Sequence, residues 1–135
     1  MTIKHGFLFK ITIAIVIVIM VMFLTTRGAS QITIQSGETV NAEASLLDMA
    51  FFSGDNISIK ASSDDDIFAA GSRIKVDATT ADHLILAGGE INIRNIKVSD
   101  IITAGGELHL RSGSASDDVV AAGGAVTLHP NFQIG

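Results

Sequence analysis

The chain has 135 residues, room for one domain behind a short leader. It has no cysteine, which excludes disulfides, Cys-ligated zinc and a lipoprotein anchor, and it lacks Trp and Tyr, the usual platforms for sugar stacking and interface hot spots. Lys4, Lys10 and Arg27 are the only charges before residue 30; the six remaining bases face all 14 acids beyond it, a balance of −8 that repels phosphate backbones and excludes a nucleic-acid partner.

Residues 1–30 are expected to form an export element. Lys4, His5 and Lys10 make a basic start, and Ile11–Leu24 is a run of 14 residues without a charge. At about 1.5 Å per residue a helix of that length spans about 21 Å, short of the roughly 30 Å hydrocarbon core. Taken from residue 6 to residue 26, with Lys10 reaching toward the headgroups, it spans about 31 Å. The leader is therefore either an N-terminal hydrophobic helix that anchors the chain in a membrane through residues 6–26 or a signal peptide cleaved after Ser30. Two lysines ahead of the run and one arginine behind it keep the N-terminus inside. Residues 31–135 are then expected outside the cytoplasm, held at the cell membrane, or secreted or periplasmic after cleavage.

Beyond the leader the chain repeats. Gly37, Gly54, Gly71, Gly88, Gly105 and Gly123 are spaced 17, 17, 17, 17 and 18 apart. Three residues after each glycine comes an apolar residue (Val40, Ile57, Ile74, Ile91, Leu108, Val126), and two further on another (Ala42, Ile59, Val76, Ile93, Leu110, Leu128). The residue between them is mostly polar, so each unit holds a strand with one buried face. Strand-like segments also precede the glycines, as in Phe51-Phe52-Ser53 and Ile85-Leu86-Ala87, and a third strand is clearest at Ile96-Lys97-Val98. Two helices would not fit in 17 residues. The expected fold is all-β: a parallel β-helix over residues 31–135, with about six turns of 17 residues, roughly 29 Å long at about 4.8 Å per turn. The glycines mark corners that need an unusual φ or a close approach of backbones.

The unit Asp100-Ile101-Ile102-Thr103-Ala104-Gly105-Gly106-Glu107-Leu108-His109-Leu110, repeated from Asp118 to Leu128, resembles the bactofilin-like polymer-forming proteins of bacteria. The resemblance covers roughly residues 37–135. It implies a right-handed β-helix that polymerises end to end without nucleotide and sometimes carries an N-terminal membrane segment.

No enzyme chemistry is expected. The turns of left-handed hexapeptide acyltransferases have 18 residues in hexads, whereas 17 predominates here. The sole serine near a histidine lacks a nucleophile elbow. Asp66, Asp100 and Asp118 recur at one corner, with His83 in the intervening turn and Asp65, Asp82 and Asp117 alongside. Hard cations want such carboxylates, but aspartates also bond turn amides, and two charges about 4.8 Å apart repel by only about 0.9 kcal/mol in water. Turn chemistry is the expected role. His83, His109 and His129 fall in different columns, so no metal site, cofactor or catalytic residue is assigned.

The expected partner is another copy of the chain, in a structural, self-associating scaffold. The alternative is an extracytoplasmic surface binding or adhesive module. If Phe51, Phe68, Ile85, Ile102 and Val120 point inward, then Phe52, Ile67, Leu84, Leu86, Ile101 and Val119 form an outer apolar stripe for lateral contact. Phe132 and Ile134, on the last turn, are expected at an open edge that favours end-to-end contact.

Overall fold

In the computed structural model of the chain, the six glycines of the repeat lie side by side on successive turns of one parallel ladder. The structure describes residues 13–17, 32–43, 45–46 and 48–135. The chain divides into two compact units, Met1–Ser30 and Gln31–Gly135. In the first, residues 13–17 are helical; the rest of the expected hydrophobic helix lies outside the described residues. Among the described residues no helix is long and apolar enough to cross a membrane.

The second unit is all-β. Its strands are β1 (Thr33–Ala42), β2 (Ser45–Leu46), β3 (Ala50–Ile59), β4 (Ser62–Ser63), β5 (Ile67–Asp77), β6 (Thr80–Arg94), β7 (Ile96–Ala115) and β8 (Val119–Ile134). Every pairing is parallel, and along the main face each residue stands beside the one 17 positions on, or 18 between β7 and β8. That is the parallel β-solenoid of about six turns that the glycine spacing predicts. The third face holds β2, β4 and the segments at Ile96 and Phe132; there Ser62 pairs with Thr80, a local shift to 18.

The strands before and after each glycine are one continuous, bent strand. The bend falls on the residue after the glycine. Gly54 pairs with Gly71 and Asn56 with Arg73, while Asp55 and Ser72 are passed over. The same residue is skipped on every turn. None of the six corner glycines has a positive φ. They are required by close approach: a Cβ on Gly71 would sit 2.1 Å from the Gly54 carbonyl oxygen, and one on Gly105 would sit 2.1 Å from that of Gly88. The left-handed conformation occurs instead at the next corner, at Ala78 (φ 46), Asn95 (φ 52) and Gly113 (φ 126).

The skipped residue also reverses the phase of side-chain alternation. Beyond the bend, Ile57, Ile59, Ile74, Val76, Ile91, Ile93, Leu108 and Leu110 point inward and are buried, as the alternation predicts. Before the bend the predicted faces are inverted. Phe52 (2% exposed), Ile67 (0%), Leu84 (0%), Leu86 (2%) and Ile101 (0%) are core residues, and Val119 packs against the core. Phe51, Ile102 and Val120 are the exposed ones. Carrying a strict period of two backward through the corner puts every side chain of the preceding segment on the wrong face, because a one-residue offset does so throughout a strand.

Stability comes from stacked layers of these inward side chains, each large one worth about 1.5–3 kcal/mol on burial. Among the described residues three buried hydroxyls interrupt them, and that of Ser63 donates to the Asp48 carbonyl and accepts the Asp65 N–H. Thr79 is satisfied, donating to the Ile59 or Asp77 carbonyl and accepting from the Ala61 N–H. Thr103, in the column of Phe52, Ala69 and Leu86, has no partner for its Oγ1 among the described residues. Thr103→Val keeps the shape and removes the stranded hydroxyl, so it is expected to stabilise the domain by about 1 kcal/mol. Urea unfolding of the two proteins measures it, and a lower midpoint for the valine variant would show that the hydroxyl is used.

Candidate functional site

Three features of the solenoid surface follow from the repeat, each a column of residues that the turns superimpose. The first is an apolar column on the outer side of the segment before the glycines. Ile34, Phe51, Phe68, Ile85, Ile102 and Val120 stand in unbroken register, one per turn. Ile34 is 62% exposed, Ile102 49% and Val120 57%. The Phe51 and Phe68 rings stack with centroids 4.7 Å apart. The neighbouring outward column, Ser36, Ser53, Ala70, Ala87, Ala104 and Ala122, consists of small residues, so nothing rises beside the apolar one. From first to last rung the column runs roughly 24 Å at about 4.8 Å per turn. The residues that sequence alone assigns to such a stripe lie directly behind it in the core, as described above.

The second is the corner that closes each turn, just before that segment. Asp48, Asp64, Asp65, Asp66, Asp82, Asp100, Asp117 and Asp118, eight of the 14 acids, cluster in its sequence segments. Three of these carboxylates bond backbone N–H groups of the turns, the chemistry expected for them. Asp65 Oδ1 accepts the Asp66 N–H, Asp66 Oδ1 the His83 N–H, and Asp100 Oδ1 the Asp118 N–H. His83 occupies the rung between Asp66 and Asp100. Its Nδ1 hydrogen-bonds Asp66 Oδ1 and lies 3.6 Å from Asp82 Oδ2, and its Nε2 is 3.0 Å from Asp100 Oδ2. Asp66, Asp82 and His83 place three potential metal-ligand atoms within 4.8 Å of one another. Both ring nitrogens of His83 already face carboxylates, Nδ1 that of Asp66 and Nε2 that of Asp100. The hydrogen bond to Asp66, and then the charges of Asp66, Asp82 and Asp100, raise the His83 pKa above the usual imidazole value against a smaller opposing effect of burial.

The third is the polar face beyond the glycines, where Arg73, Lys75, Glu90, Asn92, Arg94 and Arg111 border a shallow groove. Three of its arginines reach across turns: Arg94 Nη2 lies 2.7 Å from Asp77 Oδ2 as an ion pair, and Arg111 and Arg73 donate to the neutral amide oxygens of Asn92 and Asn56. Asn95 and Arg94 together hold the Asp77 carboxyl below the usual carboxylate range. This is a solvated ladder that ties turn to turn, each pair contributing little. His109 lies on it and His129 on the next column, well apart from His83 in sequence and register.

At the last turn, Phe132 is 7% exposed, tucked beside Gly113. It is thus a core residue and not the open apolar edge expected for it. Gly113 itself is required by the turn before it, since a Cβ there would meet the Ile96 carbonyl oxygen at 2.4 Å. Ile134 is 47% exposed, as are Val126 (47%) and Leu128 (53%), which continue the inward columns of Leu108 and Leu110.

Comparison with known protein families, with curated proteins and with solved structures found no match.

Proposed function

We propose that the Gln31–Gly135 solenoid is a structural scaffold that associates with further copies of itself, side by side, through the column Ile34, Phe51, Phe68, Ile85, Ile102 and Val120. The observation that carries this reading is the unbroken outward placement of large apolar side chains on all six turns of a domain whose core is otherwise complete without them. A single exposed isoleucine is ordinary; a contiguous row of this length marks an interface. The adjoining small column lets two such faces approach closely. Because the row is flat and repetitive, it favours a weak contact per turn that is multiplied along the length. The likeness of the repeat to bactofilin-like polymer-forming proteins supports the same reading. The leader fits export or membrane anchoring of the scaffold through residues 6–26. No step of this reading uses a nucleotide or a cofactor.

The test is sedimentation and electron microscopy of residues 31–135, alone and carrying Ile85→Lys with Ile102→Lys. The unmodified domain is expected to form particles that grow with concentration, without added ligand, and the double variant to retain its circular dichroism while losing lateral association. A monomeric unmodified domain would remove this reading and favour a surface binding module. Equal association of both proteins would move the contact to another face.

A further inference from the structure

The corner ladder repeats one arrangement, a carboxylate on one rung that accepts a backbone N–H of the next, as between Asp100 and Asp118. His83 breaks the pattern. It keeps the backbone bond from its own N–H to Asp66 Oδ1, but puts an imidazole where neighbouring turns carry carboxylates. The ring is flanked on both sides. Nδ1 meets Asp66 on the turn before, and Nε2 stands 3.0 Å from Asp100 Oδ2 on the turn after. A neutral imidazole has one N–H and one bare nitrogen. With two ionised carboxylates as neighbours, the bare nitrogen would face an oxygen lone pair, with no hydrogen between them. Only the imidazolium, which donates from both nitrogens, satisfies both contacts at once. We propose that His83 is a proton-operated clasp linking three successive turns of the solenoid, closed when the ring carries two protons and opened on the Asp100 or the Asp66 side when it loses one.

All the charged groups that face the ring are carboxylates. Asp66 approaches from the corner preceding β5, Asp82 stands at 3.6 Å on the same strand, β6, and Asp100 approaches from β7. Among the described residues no lysine or arginine pairs with any of the three. Protonation of His83 therefore turns stacked like charges into two attractive pairs at this rung. The site is partly open, with the His83 side chain 40% exposed, so protons exchange freely and the response is graded by solvent screening. The sign follows from the same geometry and from the raised pKa of His83. A group bound more tightly by protons in the folded state stabilises fully below its unfolded value of about 6.5, and that stabilisation disappears as pH rises through the folded value.

Two measurements on the full chain in mild detergent test the clasp. In the first, thermal melts of the unmodified protein and of His83→Asn are compared from about pH 5.5 to about pH 8.5, a window around the ordinary imidazole value of about 6.5. The unmodified protein is expected to melt higher at the acid end and the difference to shrink toward the alkaline end. The titrations of all other groups are common to both proteins and cancel in the difference. A difference that does not change with pH would overturn the proposal. In the second, the ring protons of the histidines are titrated by nuclear magnetic resonance in the unmodified protein, which needs no variant to fold. The His83 resonance, assigned by its loss in the variant or by through-bond correlation, is expected to titrate above the ordinary value. A midpoint at or below that value would also overturn it. Repeating the melts with zinc and then with EDTA is expected to change nothing; a zinc-dependent gain abolished by His83→Asn would assign the Asp66, Asp82 and His83 cluster to a metal and remove the proton as its operator.

Discussion

Gly71→Ala is expected to prevent the solenoid from forming a stable native state, whereas Gly37→Ala, the same substitution two turns earlier, is expected to leave the melting temperature nearly unchanged. The difference lies in what stands beneath each glycine. A methyl group on Gly71 would lie 2.1 Å from the Gly54 carbonyl oxygen and 3.0 Å from Ile57 Cδ1. The oxygen belongs to backbone held in the ladder between β3 and β5, so it cannot retreat without parting two turns. Overpacking against movable side chains already costs about 1–3 kcal/mol, and here the obstacle is main chain. Against a total stability of about 5–15 kcal/mol, separating turns in the middle of the stack removes most of what holds the domain. Among the described residues, a Cβ on Gly37 meets nothing nearer than the Thr39 carbonyl oxygen at 3.8 Å. Both variants change the flexibility of the unfolded chain equally, so the comparison isolates the collision. Gly106→Ala, with its obstacle at 2.9 Å, should fall between them. Circular dichroism melts decide the matter. A Gly71→Ala protein that melts with the unmodified one would mean that the turns are not packed glycine on glycine.

The glycine spacing made the turn length and register legible, since only a stacked strand architecture needs the same residue every 17 positions. The inward columns after the glycines were equally plain, because Asn41, Ser58, Lys75 and Asn92 alternate with apolar neighbours. The columns before the glycines were not. Phe51 and Phe52, Ile67 and Phe68, Leu84 to Leu86, and Ile101 and Ile102 are apolar without interruption, so composition carries no parity there. The phase had to be carried through the corner, and the corner omits one residue from the ladder. That omission is a property of backbone geometry with no residue type of its own, occupied by Glu38, Asp55, Ser72, Gly89, Gly106 and Gly124 on successive turns. The outer apolar column was for the same reason assigned to its buried neighbours. At the acidic corner the repeat already put His83 on the rung between Asp66 and Asp100, but the two-sided contact of its ring depends on a rotamer that spacing does not set. The left-handed corner at Ala78 was invisible, as alanine gives no sign of positive φ.

Ile101→Lys and Ile102→Lys, one residue apart, are expected to separate completely: the first should unfold the domain and the second should not. Ile101 is 0% exposed and stacks between Leu84 and Val119 in the column that sequence alone places outside. A lysine there forfeits about 1.5–3 kcal/mol of side-chain burial and also brings an ammonium into a layer that offers no acid. The cost of an unpaired buried charge is several kcal/mol more, and in the centre of a solenoid the stem has no short path to water. Ile102 is 49% exposed, on the outer column between Ile85 and Val120. A lysine at that position extends into solvent and keeps the ladder bonds of β7, so its stability should stay within about 0.5 kcal/mol of the unmodified protein. Solubility should rise at the same time, because the substitution interrupts the exposed row. Thermal melts of the two single variants, at a concentration low enough to suppress association, measure the contrast directly. The reverse outcome, a stable Ile101→Lys beside an unfolded Ile102→Lys, would restore strict alternation through the glycine corner and return Phe52, Ile67, Leu84, Leu86 and Ile101 to the surface as the face available to a second copy.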